Sequence, residues 1–136
     1  MQTILMTGAA GRIGTFLRPE LAGKYSLRLS DIEPITNLKP GESFMRADIS
    51  KMADALRVTK GVDAVVHFGG QSGESEWENI LSANIVGFYN ILEAARMNGV
   101  KRFLVATSNH AVGFYRCDET IDHTVYPRPD SRYGVS

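Results

Sequence analysis

Three glycines near the start of the chain have the spacing of a phosphate-binding turn. Gly8, Gly11 and Gly14 directly follow a short apolar run, residues 3–7, and an amphipathic stretch follows them. A strand that turns sharply into a helix leaves backbone N–H groups at the helix start without acceptors, and the helix dipole adds positive potential there. The pattern therefore predicts a seat for the pyrophosphate of a dinucleotide.

An acidic residue lies where such a dinucleotide would place its adenosine ribose. Asp31 ends the second apolar segment, about 20 residues after the glycines. Its carboxylate can accept hydrogen bonds from the ribose hydroxyls and would repel a 2′-phosphate, which favours NAD over NADP. Arg12, beside Ile13 in the glycine loop, suits a phosphate and argues the other way. We give Asp31 more weight, because the fingerprint geometry places it at the sugar.

Two further strand ends fall at the same predicted edge of the sheet. Asp48 and Ile49 follow the third apolar segment, where they could meet the adenine, although an ordinary turn explains Asp48 equally well. Phe68, Gly69 and Gly70 follow the fourth segment. Two successive glycines after a buried strand indicate close approach of another group. We therefore expect the cofactor to contact the backbone there, and we leave the preceding His67 out of the site as a core histidine.

A second cluster of polar groups follows the fifth apolar segment. Ser108 could bind a reacting hydroxyl, while Asn109 and His110 could bind substrate oxygens. A Ser–His nucleophilic pair is the alternative at this position. Tyr133 comes 25 positions after Ser108, at the start of a predicted helix. An ordinary tyrosine has a pKa near 10, so Tyr133 would need a cation nearby to act as a base at neutral pH.

The elements that must position these residues alternate between strand and helix. The pattern predicts an α/β fold, a Rossmann-type doubly wound parallel sheet with helices on both faces. Strands are expected over residues 1–7, 27–32, 43–47, 62–68 and 100–107, and helices over 12–21, from a Ser50 N-cap to Gly61, and over 77–97. In the last helix the predicted buried side consists of Ile80, Leu81, Ile85, Phe88, Leu92 and Ala95.

Composition narrows the class of protein. The 136 residues suffice for one domain with a real core, and 43% of them are hydrophobic, as in ordinary globular proteins. The formal net charge is zero and no basic stretch occurs, so we expect no nucleic-acid partner. The apolar runs are too short to span a bilayer, and we expect no membrane partner and no metal site. Cys117 is the single cysteine, which indicates a reducing, cytoplasmic location.

Together these features resemble the extended short-chain dehydrogenase/reductase family over the whole chain. The positions that match its motifs are Gly8, Gly11, Gly14, Asp31, Asp48, Asn84, Ser108 and Tyr133. Ser108-Asn109-His110 and the stretch 128–136 are similar to members that oxidise hexuronic acids. The resemblance implies that glucuronate or galacturonate is oxidised at its anomeric carbon to an aldarolactone, with NAD taking the hydride, in a homo-oligomer.

The resemblance also implies roles for individual residues. Tyr133 would remove the hydroxyl proton, and Ser108 would orient that hydroxyl. Asn109, His110 and Ser72 would hold the sugar, and Asn84 would correspond to the helix asparagine of the family. A nucleotide-sugar epimerase or dehydratase and a non-catalytic NAD-binding sensor are the alternatives.

The family motif continues with a lysine four positions after the tyrosine, beyond Ser136. From the resemblance we expect residues 1–136 to be an NAD-binding Rossmann domain, the N-terminal part of a longer chain without its C-terminal substrate region. We also expect these residues alone to lack normal activity.

Overall fold

The computed structural model describes all residues from Met1 to Ser136 and contains one parallel sheet of five strands. The strands are β1 (Thr3–Thr7), β2 (Ser26–Ser30), β3 (Glu42–Phe44), β4 (Ala64–His67) and β5 (Arg102–Val105). Their order across the sheet is β3-β2-β1-β4-β5, so the direction of winding reverses between β1 and β4. Ligands of doubly wound sheets bind beyond the carboxyl ends of the strands at this reversal.

Helices cover the sheet on both sides, which confirms the predicted fold class. The helical segments are α1 (Arg12–Leu21), α2 (Met52–Thr59), α3 (Trp77–Ile80), a π-helical segment (Leu81–Val86), α4 (Gly87–Met97), a 3-10 helix (Asn109–Val112) and α5 (Arg132–Val135). No helix is both long enough and apolar enough to cross a membrane.

Two apolar clusters form the core, one on each face of the sheet. Ile4 and Met6 of β1 belong to the cluster that packs against α1, whereas Leu5 belongs to the cluster that packs against α2 and α4. Successive residues of a strand point to opposite faces, so a central strand covered on both sides is apolar throughout. The near-continuous apolar sequence of β1 has this origin.

The predicted bounds of every strand and of α2 differ from the structure, most clearly at β3 and α2. Ser50 does not cap α2, because the helix begins one residue later than predicted, at Met52, and the N-cap position is Lys51, which makes no side-chain cap. The Ser50 hydroxyl donates to Asp48 Oδ1 at 2.7 Å. The predicted third strand, residues 43–47, is shorter and lies earlier, at Glu42–Phe44. α1 has the predicted bounds although it contains Pro19.

The predicted buried side of the long helix is partly wrong. Gly87, Asn90 and Ile91 of α4 are buried, although none of them belongs to the predicted side, whereas Leu81 and Leu92 are 38% and 44% exposed. Gly87 faces inward because the packing there is tight. A Cβ atom at Gly87 would lie 2.8 Å from Ile49 Cγ1, closer than packed side chains allow. The stripe of buried residues on the helix therefore lies about one residue before the predicted apolar stripe.

An ion pair joins α1 to the edge of the sheet. Arg18 Nη2 lies 2.6 Å from Glu42 Oε2, and the two side chains are 9% and 1% exposed. Burial by itself raises the pKa of Glu42, but hydrogen bonds from the Arg18 guanidinium and the Lys39 N–H outweigh it, so this pKa lies below its ordinary value. The pair fixes α1, and with it the glycine turn, against β3.

Candidate active site

The turn between β1 and α1 requires glycine at two positions. Gly8 has a φ of +66°, and a Cβ atom there would lie 2.5 Å from the carbonyl carbon and oxygen of Phe68. A Cβ atom at Gly14 would lie 2.6 Å from the Gly8 oxygen. The glycines thus allow the turn to pack directly against the loop after β4, and they let α1 begin close to β1.

The first turn of α1 offers free backbone donors. Gly11 occupies the N-cap position without a side-chain cap, and no acidic residue lies in the first turn. The N–H groups of Arg12, Ile13 and Gly14 find no acceptor within the chain. Three unpaired donors at the positive end of a helix dipole, beside a turn made only of glycine and alanine, fit a pyrophosphate. The residues present therefore suit the predicted dinucleotide.

Asp31 is held beside this turn by the backbone. Its Oδ2 accepts the Ala10 N–H at 2.9 Å and its Oδ1 accepts the Glu33 N–H at 3.1 Å. Each carboxylate oxygen can accept more than one hydrogen bond, so both can still receive a hydroxyl. A fixed negative charge at this point disfavours a 2′-phosphate.

Asp48 and Ile49 lie at the adjacent strand end and have different surroundings. Asp48 Oδ1 accepts both the hydroxyl and the N–H of Ser50, and these hydrogen bonds lower the pKa of the Asp48 carboxyl below its usual range. Ile49 packs against the loop after β4, where its Cδ1 would be 3.2 Å from a Cβ atom at Gly69. The turn after β3 therefore supports the loop after β4.

The loop after β4 is clamped from two sides. On one side Gly69 donates its N–H to Thr7 Oγ1 at 3.2 Å. On the other side Asn84 Oδ1 accepts the Gln71 N–H at 2.7 Å, and Asn84 Nδ2 donates to the Gln71 carbonyl at 3.1 Å. Gly70 has a φ of +152°, and a Cβ atom there would lie 2.8 Å from Asn84 Oδ1. Asn84 thus fixes the loop in which the sequence predicts a contact with the cofactor.

Asn84 lies in the π-helical segment, residues Leu81–Val86. The sequence predicts a single helix over residues 77–97, which the structure divides into α3, this π-helical segment and α4. Single π-turns inside α-helices are rare and occur frequently at functional sites. The wide turn accompanies the inward placement of Asn84.

His67 ends β4 and is buried, as expected of a core histidine. Its Nδ1 lies 2.6 Å from Thr7 Oγ1, and its ring stacks on Phe88 at 5.7 Å between centroids. Burial lowers the pKa of His67 to about 4, so the ring is neutral near neutral pH. Through Thr7 it contributes to the support of the Gly69 loop.

The second polar cluster lies after β5. Ser108 caps the 3-10 helix, since its Oγ accepts the His110 N–H at 3.2 Å. The His110 ring instead places Nδ1 2.9 Å from both carboxylate oxygens of Asp130. The Ser108 side chain contacts only the backbone N–H of His110, and no hydrogen bond joins its Oγ to the imidazole, so the structure does not form the Ser–His nucleophilic pair that the sequence left open.

Tyr133 is brought to this cluster and to the loop after β4. Its ring lies edge-on to the His110 ring, with centroids 5.5 Å apart. Its backbone N–H donates to Glu74 Oε2 at 3.1 Å, across 59 residues of sequence. Asn84 Nδ2 also donates to Ser136 Oγ at 2.8 Å. The loop that contains Ser72, the Asn84 segment and the tyrosine segment are thus joined into one site.

Sequence reasoning missed several residues that hold this site together. Thr7, Glu74 and Asp130 were not assigned roles, although each binds a candidate site residue or its loop. The only signal for Asp130 was its place in the stretch that resembles a family motif. Glu74 is one of several acidic residues in a polar loop, and nothing in its spacing distinguishes it.

Comparison with known proteins gives a consistent pattern. The family model described as the NAD dependent epimerase/dehydratase family matches residues 4–136. A uronate dehydrogenase of Pseudomonas putida is 48% identical over 135 residues, which is 98% of this chain and 50% of that protein. This chain therefore spans about half the length of the curated relatives that it matches.

Solved structures agree with this similarity. A uronate dehydrogenase mutant from Agrobacterium tumefaciens complexed with NAD aligns with a TM-score of 0.95 and 40% identity, over 99% of this chain and 51% of that chain. A glucuronic acid dehydrogenase from Chromohalobacter salexigens aligns with a TM-score of 0.95 and 40% identity, over 98% of this chain and 51% of that chain.

Proposed function

Because this chain belongs to the NAD dependent epimerase/dehydratase family, we propose that the protein oxidises a hexuronic acid, glucuronate or galacturonate, at its anomeric carbon. The product would be an aldarolactone. NAD, when bound, supplies the acceptor for the hydride that leaves the anomeric carbon. The similarity to uronate dehydrogenases along nearly the whole chain supports this substrate class.

The observation that carries the proposal is the meeting of Ser108, His110 and Tyr133 beside the Gly70 loop. The His110 and Tyr133 rings are in contact, and Glu74 and Asn84 tie the tyrosine segment to that loop. A phenol, a hydroxyl and an imidazole are the groups that a hydroxyl oxidation needs for moving a proton and orienting the substrate.

Each residue has a defined part in the proposed reaction. Tyr133 Oη, in its ionised phenolate form, takes the proton of the anomeric hydroxyl, and Ser108 Oγ orients that hydroxyl. Asn109, His110 and Ser72 bind the other oxygens of the sugar.

The dinucleotide would bind mainly beyond the carboxyl ends of the strands, at the point between β1 and β4 where the strand order reverses. The free N–H groups of the first turn of α1 receive the pyrophosphate, and Asp31 accepts hydrogen bonds from the adenosine ribose. The other proposed contacts are Gly8, Gly11, Arg12, Ile13, Gly14, Asp48, Ile49, Phe68, Gly69, Gly70 and Asn84. The unpaired donors and the tight turn, which leaves no room for a side chain at Gly8 or Gly14, support this placement.

The test is an assay of the intact protein with each free hexuronate and with a UDP-linked hexuronate, following NADH by its near-ultraviolet absorbance. We expect turnover with NAD and at least one free acid, and weaker turnover with NADP. Turnover of the UDP-linked sugar alone would assign the protein to nucleotide-sugar chemistry instead. NAD binding by calorimetry without turnover of any sugar would indicate a sensor.

A variant separates the catalytic proposal from mere binding. Tyr133→Phe should lower kcat at least about 100-fold, because it removes the proton acceptor, and should leave NAD affinity unchanged. Tyr126→Phe is the matched control, since Tyr126 is 84% exposed. Equal kcat in the two variants would contradict the role of Tyr133.

Assembly and location complete the proposal. Family membership leads us to propose a homo-oligomer, and the single cysteine leads us to propose the cytoplasm as its compartment. Light scattering on the intact protein tests the first proposal, and a monomer at working concentration would contradict it.

A further inference from the structure

Asp130 forms the hydrogen bonds of the His110 ring. His110 Nδ1 lies 2.9 Å from both Oδ1 and Oδ2 of Asp130, and the Ser131 hydroxyl donates to Oδ1 at 2.8 Å. The Asp130 side chain is 28% exposed and that of His110 is 47% exposed. The pair therefore lies at the surface of the site, with part of the imidazole open to a ligand.

The backbone around Asp130 is built to admit this carboxylate. A Cβ atom at Gly113 would collide with the carboxylate of Asp130, and a Cβ atom at Gly134 would collide with the carbonyl oxygen of His110. The Asp130 N–H donates to the His110 carbonyl at 3.3 Å. Two glycines and a backbone hydrogen bond thus hold the aspartate against the histidine.

The contact decides which ring nitrogen has the proton. Hydrogen bonds from His110 and Ser131 lower the pKa of Asp130, so the carboxylate is ionised and can only accept hydrogen bonds. His110 Nδ1 must therefore donate. In the neutral ring the other nitrogen, Nε2, then has a lone pair and can only accept.

We propose that Asp130 is a positioning residue, which holds His110 in the Nδ1–H tautomer so that Nε2 accepts a hydrogen bond from a hydroxyl of the sugar acid. This inference rests on the proposed function for its substrate. The contact with Asp130 also holds the imidazole in its orientation beside Tyr133, where the two rings pack at an interplanar angle of 67°.

The tautomer can be measured directly. Imidazole ¹⁵N chemical shifts of the intact protein, recorded above the ordinary histidine pKa, should show a protonated Nδ1 and an unprotonated Nε2 at His110. In Asp130→Asn the Ser131 hydroxyl should keep the amide oxygen, so that the amide nitrogen donates to Nδ1 and the proton moves to Nε2. Asp130→Ala serves as a second variant and should also favour Nε2–H, because no acceptor faces Nδ1. Asp118→Asn is the control, as this carboxylate is 67% exposed and pairs with Arg116.

Kinetics test the consequence of the tautomer. Both Asp130 variants should raise the KM for the hexuronate about tenfold, the cost of one lost hydrogen bond, with a smaller change in kcat and no change in NAD affinity. A purely structural role would lower NAD affinity and stability together. An Nε2–H tautomer in the unaltered protein, or an unchanged KM in both variants, would overturn the proposal. Absence of hexuronate turnover by the unaltered protein would refute the proposed function instead, while the ¹⁵N measurement would still decide the role of Asp130.

Discussion

Acidification should destabilise the protein through His67. The side chain is 4% exposed and lies between Thr7 Oγ1 and the rings of Phe88 and Phe103. Burial in these surroundings lowers the pKa of His67 from 6.5 to about 4. Between these two values, His67 is therefore protonated in the unfolded chain but neutral in the folded protein.

The direction and size of the stability change follow from the difference between the pKa of His67 in the unfolded and folded states. Between about pH 6.5 and pH 4 the unfolded state binds the proton more tightly, so the free energy of unfolding falls as the pH falls through this window. The full stability is present above the unfolded pKa. With pKa values of about 6.5 and about 4, the loss is about 2 kcal/mol at about pH 5 and about 3 kcal/mol at about pH 4.

Urea unfolding of the intact protein at a series of pH values measures this effect. His67→Asn is the test variant, because the amide oxygen can accept a hydrogen bond from Thr7 Oγ1 but does not titrate. It should be less stable than the unaltered protein at neutral pH, and the stability difference between the two should shrink by about 2 kcal/mol at about pH 5. His123→Asn is the control at an exposed position and should follow the unaltered protein. Parallel pH profiles for the unaltered protein and His67→Asn would refute the assignment of a neutral, buried ring.

The other predictions concern backbone strain, a buried charge and cofactor choice. Gly8→Ala should lower the free energy of unfolding by about 3 kcal/mol, because the new methyl group would clash with the Phe68 carbonyl. Gly61 also has a positive φ but has open space around it, so Gly61→Ala should lower the same quantity by only about 1 kcal/mol; urea unfolding measures both. Glu42→Gln should cost about 3 kcal/mol, because it leaves the Arg18 guanidinium buried without its counter-charge; a loss below about 1 kcal/mol would contradict this. Asp31→Asn should shift the NADP-to-NAD affinity ratio about tenfold towards NADP, measured by calorimetry, and an unchanged ratio would exclude charge repulsion as the basis of selectivity.

Local features of the site were predictable from the sequence. The glycine turn, the acid at Asp31 and the bounds of α1 depend on neighbouring residues and on spacing, and the structure has the glycine turn and α1 where they were expected. The N-cap at Ser50 was predicted wrongly, although it too is a local feature. The helix begins one residue later than predicted, at Met52, so Ser50 lies outside the cap position, and its hydroxyl donates to Asp48 Oδ1.

The long helix shows a second limit of sequence patterns. The most apolar stripe was predicted to be buried, but Leu81 and Leu92 are exposed while Gly87 and Asn90 face inward. The periodicity of apolar residues predicts how wide the apolar stripe of a helix is and how often it repeats. It does not show how closely a neighbouring element approaches, and here Ile49 approaches so closely that only a residue without a side chain fits.

The sequence by itself determined the alternation of strands and helices, the turn that suits a dinucleotide and the polar groups that follow β5. These depend on residues within a few positions of one another, where backbone geometry leaves few choices. Only the tertiary structure decided which of the polar groups meet. Glu74 reaches the Tyr133 backbone, Asn84 clamps Gln71, and Asp130 orients His110 across 59, 13 and 20 residues respectively. Such contacts depend on how the loops pack on the completed sheet, and the spacing of two residues along the sequence does not show whether their side chains meet in space.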